Sequence, residues 1–150
     1  MTAPLLLELL PEMRPRILIV EDDPTTRDSL RRVLELEGCD LDLVSDGEKA
    51  VGALAQRRYD VIILDIALPK MSGTDVMEYI ASSTPEVLSS IVVVTGLEAK
   101  EIRKLFPDIC ETLSKPVMPG RLVAAVRRCL SASSARGAAG ALGLSGIFVA

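Results

Sequence analysis

Arg16-Ile17-Leu18-Ile19-Val20-Glu21-Asp22-Asp23-Pro24 is the stretch on which the fold turns: an aliphatic, β-branched run breaks at once into acids and a proline. The pattern recurs. Val61-Ile62-Ile63-Leu64 ends in Asp65, and Ile91-Val92-Val93-Val94 ends in Thr95-Gly96. Short runs that are apolar on both faces suit strands buried inside a parallel sheet, where helices cover either side. Two more polar strands are expected at Asp40–Val44 and Cys110–Leu113.

Helical patterns fill the gaps. Pro24 suits the first turn of a helix carrying Leu30, Val33 and Leu34 on one face, and Gly38 stops it. Asp46 is placed to cap a second helix with Ala50, Val51 and Leu54, and Ser72 a third with Val76, Met77 and Ile80. A fourth is expected from Glu98 to about Leu105, ended by Pro107, and a fifth from Pro119 through Leu122, Val126 and Cys129. Strand and helix alternate five times. That order predicts right-handed crossovers and an α/β fold, a doubly wound, flavodoxin-like, five-stranded parallel sheet with helices on both faces. The expected strand order is 2-1-3-4-5.

Composition sets outer limits. The 150 residues are 49% hydrophobic, 25% charged and 3% aromatic, enough for one domain with an aliphatic core. The net charge of −4 disfavours non-specific attraction to nucleic acid or an anionic membrane. There is no histidine, which excludes His-dependent zinc sites and catalytic triads. Cys39, Cys110 and Cys129 have no CxxC spacing and read as separate buried thiols in a reducing compartment. The N-terminal apolar run is short, contains Glu8 and has no basic flank, so neither a signal peptide nor a span is expected and the location reads as cytoplasmic. The organisation reads as an N-terminal extension over 1–14, one domain over 15–131, and a flexible Ala/Gly/Ser-rich tail over 132–150 whose tip, Gly146-Ile147-Phe148-Val149-Ala150, is apolar.

Chemistry is expected where the strands end. In open α/β sheets ligands bind beyond the carboxyl ends of the strands, where strand order reverses. Strands one and three are neighbours there, so Glu21, Asp22 and Asp65 should converge. Packed carboxylates raise one another's pKa unless a cation neutralises them. An all-oxygen set without His or Cys favours Mg2+, which keeps waters and shares phosphate oxygens, leaving a carboxylate to act as nucleophile. Thr95 and Lys115 end the fourth and fifth strands and supply a hydroxyl and an ammonium, the donors an aspartyl phosphate needs. Gly96 lets the backbone approach closely there.

These residues together make the chain resemble the response-regulator receiver family. The matching stretches are 17–24, 60–73 (Asp60-Val61-Ile62-Ile63-Leu64-Asp65-Ile66-Ala67-Leu68-Pro69-Lys70-Met71-Ser72-Gly73), Val94-Thr95-Gly96 and Lys115-Pro116. The resemblance implies a receiver phosphorylated on Asp65 by a histidine kinase or a histidine phosphotransfer protein. It implies Mg2+ held directly by Asp22, Asp65 and the backbone carbonyl of Ala67, with Glu21 acting mainly through water. Thr95 and Lys115 would then meet the phosphoryl oxygens, and the Lys115-Pro116 peptide would be cis. The output would be a change of protein partner, with a homodimer through the fourth helix, fifth strand and fifth helix compatible with the resemblance. No membrane partner, no direct nucleic-acid partner and no following output domain are expected. The chain would be no turnover enzyme, catalysing only its own phosphorylation and slow dephosphorylation.

Asp23 reads better as an N-cap ahead of Pro24 than as a ligand. Arg27, Arg31 and Arg32 lie near the face phosphodonors use, although a solvated helix surface explains any one of them. Three departures from the family pattern stand out. Thr112 occupies the position of an aromatic switch residue; Ala67 and Leu97 replace polar residues that influence the attacking water; and no output domain is expected in the stretch after residue 131. The missing aromatic motivates an alternative, a degenerate receiver that binds partners without phosphorylation. A hydrolase of the haloacid dehalogenase type needs a second Asp two residues after the first, and Ala67 stands there.

Overall fold

A computed structural model describes residues 14–96 and 99–132. Five parallel strands, β1 (Arg16–Val20), β2 (Asp40–Val44), β3 (Val61–Asp65), β4 (Ile91–Thr95) and β5 (Glu111–Ser114), form one sheet in the order β2-β1-β3-β4-β5. Helices α1 (Pro24–Leu36), α2 (Gly47–Gln56), α3 (Gly73–Ser83) and α4 (Ala99–Leu105) follow the first four strands, and residues 119–132 form α5. The expected fold and strand order are found. The expected extension, most of the tail, Leu97 and the helix start at Glu98 fall outside the described residues.

The period-two alternation of the strands divides the core. Leu18, Val20, Ile62, Leu64 and Val93 face α2, α3 and α4, meeting Ala50, Val76, Met77, Ile80 and Ile102. Ile17, Ile19, Ile63, Val92, Val94 and Leu113 face α1 and α5, meeting Leu30, Leu34, Leu122, Val126 and Cys129. β3 and β4 are buried throughout, which is why their sequences carry no polar alternation. The edge strand β2 is half-exposed, as its aspartates foretold.

Caps begin the helices where expected. Asp23 accepts from Thr26 N ahead of Pro24, Asp46 accepts from Lys49 N, and Ser72 with Asp75 makes a reciprocal capping box. After α1, Gly38 takes a left-handed φ of 82°, which a side chain would disfavour. The 3-10 helix Pro85–Ser90 was not expected; at six residues it has too little periodicity to stand out. Among the described residues no helix is long and apolar enough to cross a membrane.

One expectation fails. Cys110 and Cys129 are not separate thiols but form a disulfide across a 19-residue separation, with Cα atoms 6.1 Å apart. Packing of α5 against β5 brings them together, a tertiary fact that local spacing does not encode. Cys39 is free and half-buried, and burial pushes its thiol up to about 11. Closing a loop of this length stabilises a fold by roughly 3 kcal/mol in the chain-entropy treatment. Urea unfolding with and without reductant should therefore show a lower midpoint on reduction; equal midpoints would mean that the pair is not bonded in solution.

Candidate functional site

The carboxyl ends of β1, β3, β4 and β5 share one rim of the sheet. Asp65, the last residue of β3, is 2% exposed. Its Oδ1 accepts from the backbone N–H of Ala67 at 3.1 Å, and its Oδ2 accepts from Lys115 Nζ at 3.0 Å. Lys115 Nζ also lies 3.5 Å from Glu21 Oε1. Thr95 ends β4 and is buried, and its carbonyl accepts from the backbone N–H of Lys115 at 2.9 Å. Asp65, Ala67, Thr95, Gly96 and Lys115 border an open pocket of about 350 Å3, with Ile102 as an apolar wall. The expected site residues thus meet. A larger depression of about 690 Å3 lies at the opposite rim, by Arg57, Tyr59, Asp60 and Glu86, and holds none of them.

Glu21 is 1% exposed, an unusual place for a carboxylate. Its Oε2 accepts from the backbone N–H of Asp23 at 3.1 Å, but its Oε1 has no hydrogen-bond partner. Burial, together with the nearby charge of Asp65, pushes the Glu21 carboxyl up to about 7, although Asp23 and Lys115 pull the other way. Burial alone would lower the Lys115 ammonium; its hydrogen bond to Asp65 and the charges of Asp65 and Glu21 outweigh that and raise it.

Oxygen atoms of Glu21, Asp22 and Asp65 all lie within 4.8 Å of one another. Asp22 is exposed and opens the cluster to solvent, while Glu21 Oε1 accepts no hydrogen bond and has only its 3.5 Å ion pair with Lys115. Such a set fits a hard divalent cation, and no soft or nitrogen donor competes. Asp23 belongs to the helix cap, bonding Thr26 N at 2.8 Å and Thr26 Oγ1 at 2.7 Å.

Two glycines set the loop after β3, and they are not the glycine singled out from sequence. A Cβ at Gly73 would come 2.4 Å from Asp65 O, and one at Gly47 would come 2.0 Å from Met71 O. A Cβ at Gly96, which borders the pocket, would meet no described atom within 4 Å. In the same loop Lys70 has a φ of 65° and pairs with buried Asp46 at 3.8 Å, tying the loop to the start of α2. The Lys115-Pro116 peptide is cis, as expected.

The basic residues of α1 separate into two kinds. Arg31 pairs with Asp28 and Glu35, and Arg32 with Asp28 at 3.0 Å, so both belong to the helix surface. Arg27 instead turns back to the acidic turn, where its Nη1 donates to Glu21 O at 2.9 Å. The sequence reading missed this contact because nothing in residue type or spacing distinguishes Arg27 from its neighbours.

Comparison with known proteins agrees with this geometry. Residues 17–127 match the family described as "Response regulator receiver domain". The chain is 37% identical over 122 residues to the DNA-binding response regulator MtrA of Mycolicibacterium smegmatis, covering 77% of this chain and 50% of that protein. It is 30% identical over 122 residues to the response regulator MprA of Mycobacterium sp. strain KMS, covering 81% and 53%. It spans about half the length of these relatives. A solved signal receiver domain of a putative LuxO repressor protein from Vibrio parahaemolyticus superposes with a TM-score of 0.76 at 26% identity, covering 84% of this chain and 97% of that one.

The raised Glu21 pKa has a consequence for stability. In the cation-free protein Glu21 takes up a proton on folding between its ordinary 4.5 and about 7. Its contribution is therefore fully present below the lower value and lost as pH rises through the upper one. Glu21→Gln, which cannot ionise, should gain Tm over the unsubstituted protein by a few degrees at pH 8 in chelator, and by much less at pH 5. Differential scanning calorimetry at the two pH values checks this; an equal offset at both would remove the buried charge as its cause.

Proposed function

The chain belongs to the response regulator receiver family, and on that footing we propose that it is a phospho-accepting domain of a two-component or phosphorelay system, with Asp65 as the acceptor. The ammonium of Lys115, 3.0 Å from Asp65 Oδ2 within a cluster of acids, carries this reading. A carboxylate oxygen of Asp65 bonds to phosphorus as the P–N bond of a donor phosphohistidine breaks. The imidazole leaves with the bonding pair and takes up a proton. Because these 150 residues contain no histidine, the donor histidine lies outside them, on a sensor kinase or a phosphotransfer protein.

Asp22, Asp65 and the Ala67 carbonyl would hold Mg2+, with Glu21 behind them. Bound Mg2+ supplies charge that screens the acids from the incoming phosphoryl oxygens. Lys115 neutralises one of those oxygens, and Thr95 donates a hydroxyl hydrogen bond to another. The site residues sit together at one rim, so their work lies in positioning and charge stabilisation. The product adds charge at the rim, which favours a different protein partner. No turnover of substrate follows from these roles. The DNA binding named for MtrA belongs to a protein of which this chain covers 50%; for this domain we propose protein partners.

One observation favours a second reading. Thr112 stands where the family carries an aromatic switch, beside an open space of about 410 Å3 bounded by Lys115, Met118 and Arg121. A receiver without that switch could serve as a phosphorylation-independent binding module.

Incubation with acetyl phosphate and Mg2+, followed by intact mass, separates the readings. A single phosphoryl adduct that is absent in Asp65→Asn is expected; no adduct under any condition would leave the binding module. Ala67 offers water no polar anchor beside the phosphoryl group. The adduct should accordingly persist for minutes or longer, and Ala67→Asn should shorten its lifetime. Loss within seconds from the unsubstituted protein would contradict that account.

A further inference from the structure

Arg27 has been turned away from the job its neighbours do. Arg31 and Arg32 lie against Asp28, but among the described residues no carboxylate pairs with Arg27. Its guanidinium is spent on backbone oxygens: Nη1 is 2.9 Å from Glu21 O and 3.4 Å from Asp22 O. These are the carbonyls of the two residues that bring β1's acids to the pocket.

The turn from Glu21 to Asp23 is otherwise held at few points. Glu21 N donates to Val44 O at 3.1 Å, Asp23 N donates to Glu21 Oε2 at 3.1 Å, and Arg27 N donates to Asp23 O at 2.8 Å. The second of these occupies one oxygen of Glu21 and leaves Oε1 without a hydrogen bond, facing only the Lys115 ammonium at 3.5 Å. Nothing else described here grips the Glu21 carbonyl. Guanidinium is charged at every accessible pH, so its hydrogen bond is charge-assisted and stronger than a neutral one. It also places positive charge behind acids that repel one another, without occupying the cation's own position.

We infer that Arg27 is a positioning residue: it holds the backbone of the Glu21-Asp22 turn so that both carboxylates are set for a divalent cation, and thereby fixes the Mg2+ concentration that phosphorylation requires. This rests on the proposed Mg2+-dependent phosphorylation of Asp65. Groups that orient metal ligands from behind typically change metal affinity by about 10–100-fold when removed. The chemical step itself does not use Arg27. Its loss should raise the Mg2+ requirement and spare the rate at saturation.

Two titrations test this on the full chain. In the first, the initial rate of phosphorylation by acetyl phosphate is followed against Mg2+ for the unsubstituted protein, Arg27→Ala, Arg27→Gln and Arg27→Lys. In the second, Tm is followed against Mg2+ with no phosphodonor. Arg27→Ala should need about 10–100-fold more Mg2+ for half-saturation in both, with a maximal rate within about twofold of the parent. Arg27→Lys, which keeps a charged donor, should fall between. If Arg27→Ala does not fold, Arg27→Gln and Arg27→Lys carry the same comparison. Unchanged half-saturation would overturn the inference and return Arg27 to the surface, as would a reduced maximal rate at unchanged half-saturation. If the parent takes up no phosphate, the proposed function fails, while the Tm titration still decides the role of Arg27.

Discussion

Glu21 sits 1% exposed at the end of β1, with one oxygen lacking a hydrogen bond and Asp65 close by. A carboxylate in that position is costly to hold, because desolvation and like charge both oppose its ionisation. The surroundings meet that cost without removing it. Lys115 reaches Asp65 and Glu21 from β5, Asp23 N reaches Glu21 from the following turn, and Arg27 braces the carbonyl from α1. Three of five strand ends and one helix thus converge on a charge imbalance that a divalent cation would relieve. A rim with these features is poised for a ligand rather than optimised for stability.

The sheet follows from the same arrangement. Parallel pairing sets the ends of β1, β3, β4 and β5 on one rim in register, with Val20 opposite Leu64 and Asp65 opposite Val94. Continuous burial of β3 and β4 keeps that register from slipping, because both faces are committed to a core. Gly73 then lets α3 begin close against the Asp65 carbonyl, and Gly47 does the same for Met71. A side chain at either position would push the loop after β3, and with it the wall of the pocket.

Much of this was legible in residue order because it is local. Aliphatic runs ending in Glu21-Asp22, Asp65 and Thr95 mark strand ends directly, and Asp23, Asp46 and Ser72 mark helix starts by their own hydrogen bonds. The features that escaped depend on tertiary packing. The Cys110–Cys129 pairing needs α5 laid against β5, and Arg27 looks like any exposed helical arginine until its rotamer is seen. The crowding at Gly47 and Gly73 comes from segments that residue order does not bring together, Met71 for Gly47 and Asp65 for Gly73. The roles of the site residues in phosphoryl transfer are a chemical reading of where they meet.

Thr112 bears on how the pocket communicates with the rest of the surface. A threonine has neither the volume nor the reach of an aromatic ring, so Thr112 cannot supply a ring that swings between buried and exposed positions. What links the rim to the β5 face is backbone: Lys115 N bonds to Thr95 O at 2.9 Å, joining the ends of β4 and β5. At the other end of β5, Glu111 is gripped by Arg103 of α4 at 3.9 Å and by Arg128 of α5. The disulfide fixes Cys110, just before β5, to the same helix as Arg128. β5 is therefore tied at both ends, at its start by Arg103, Arg128 and the disulfide, and at its end by Lys115 through Thr95 O and the Asp65 carboxylate.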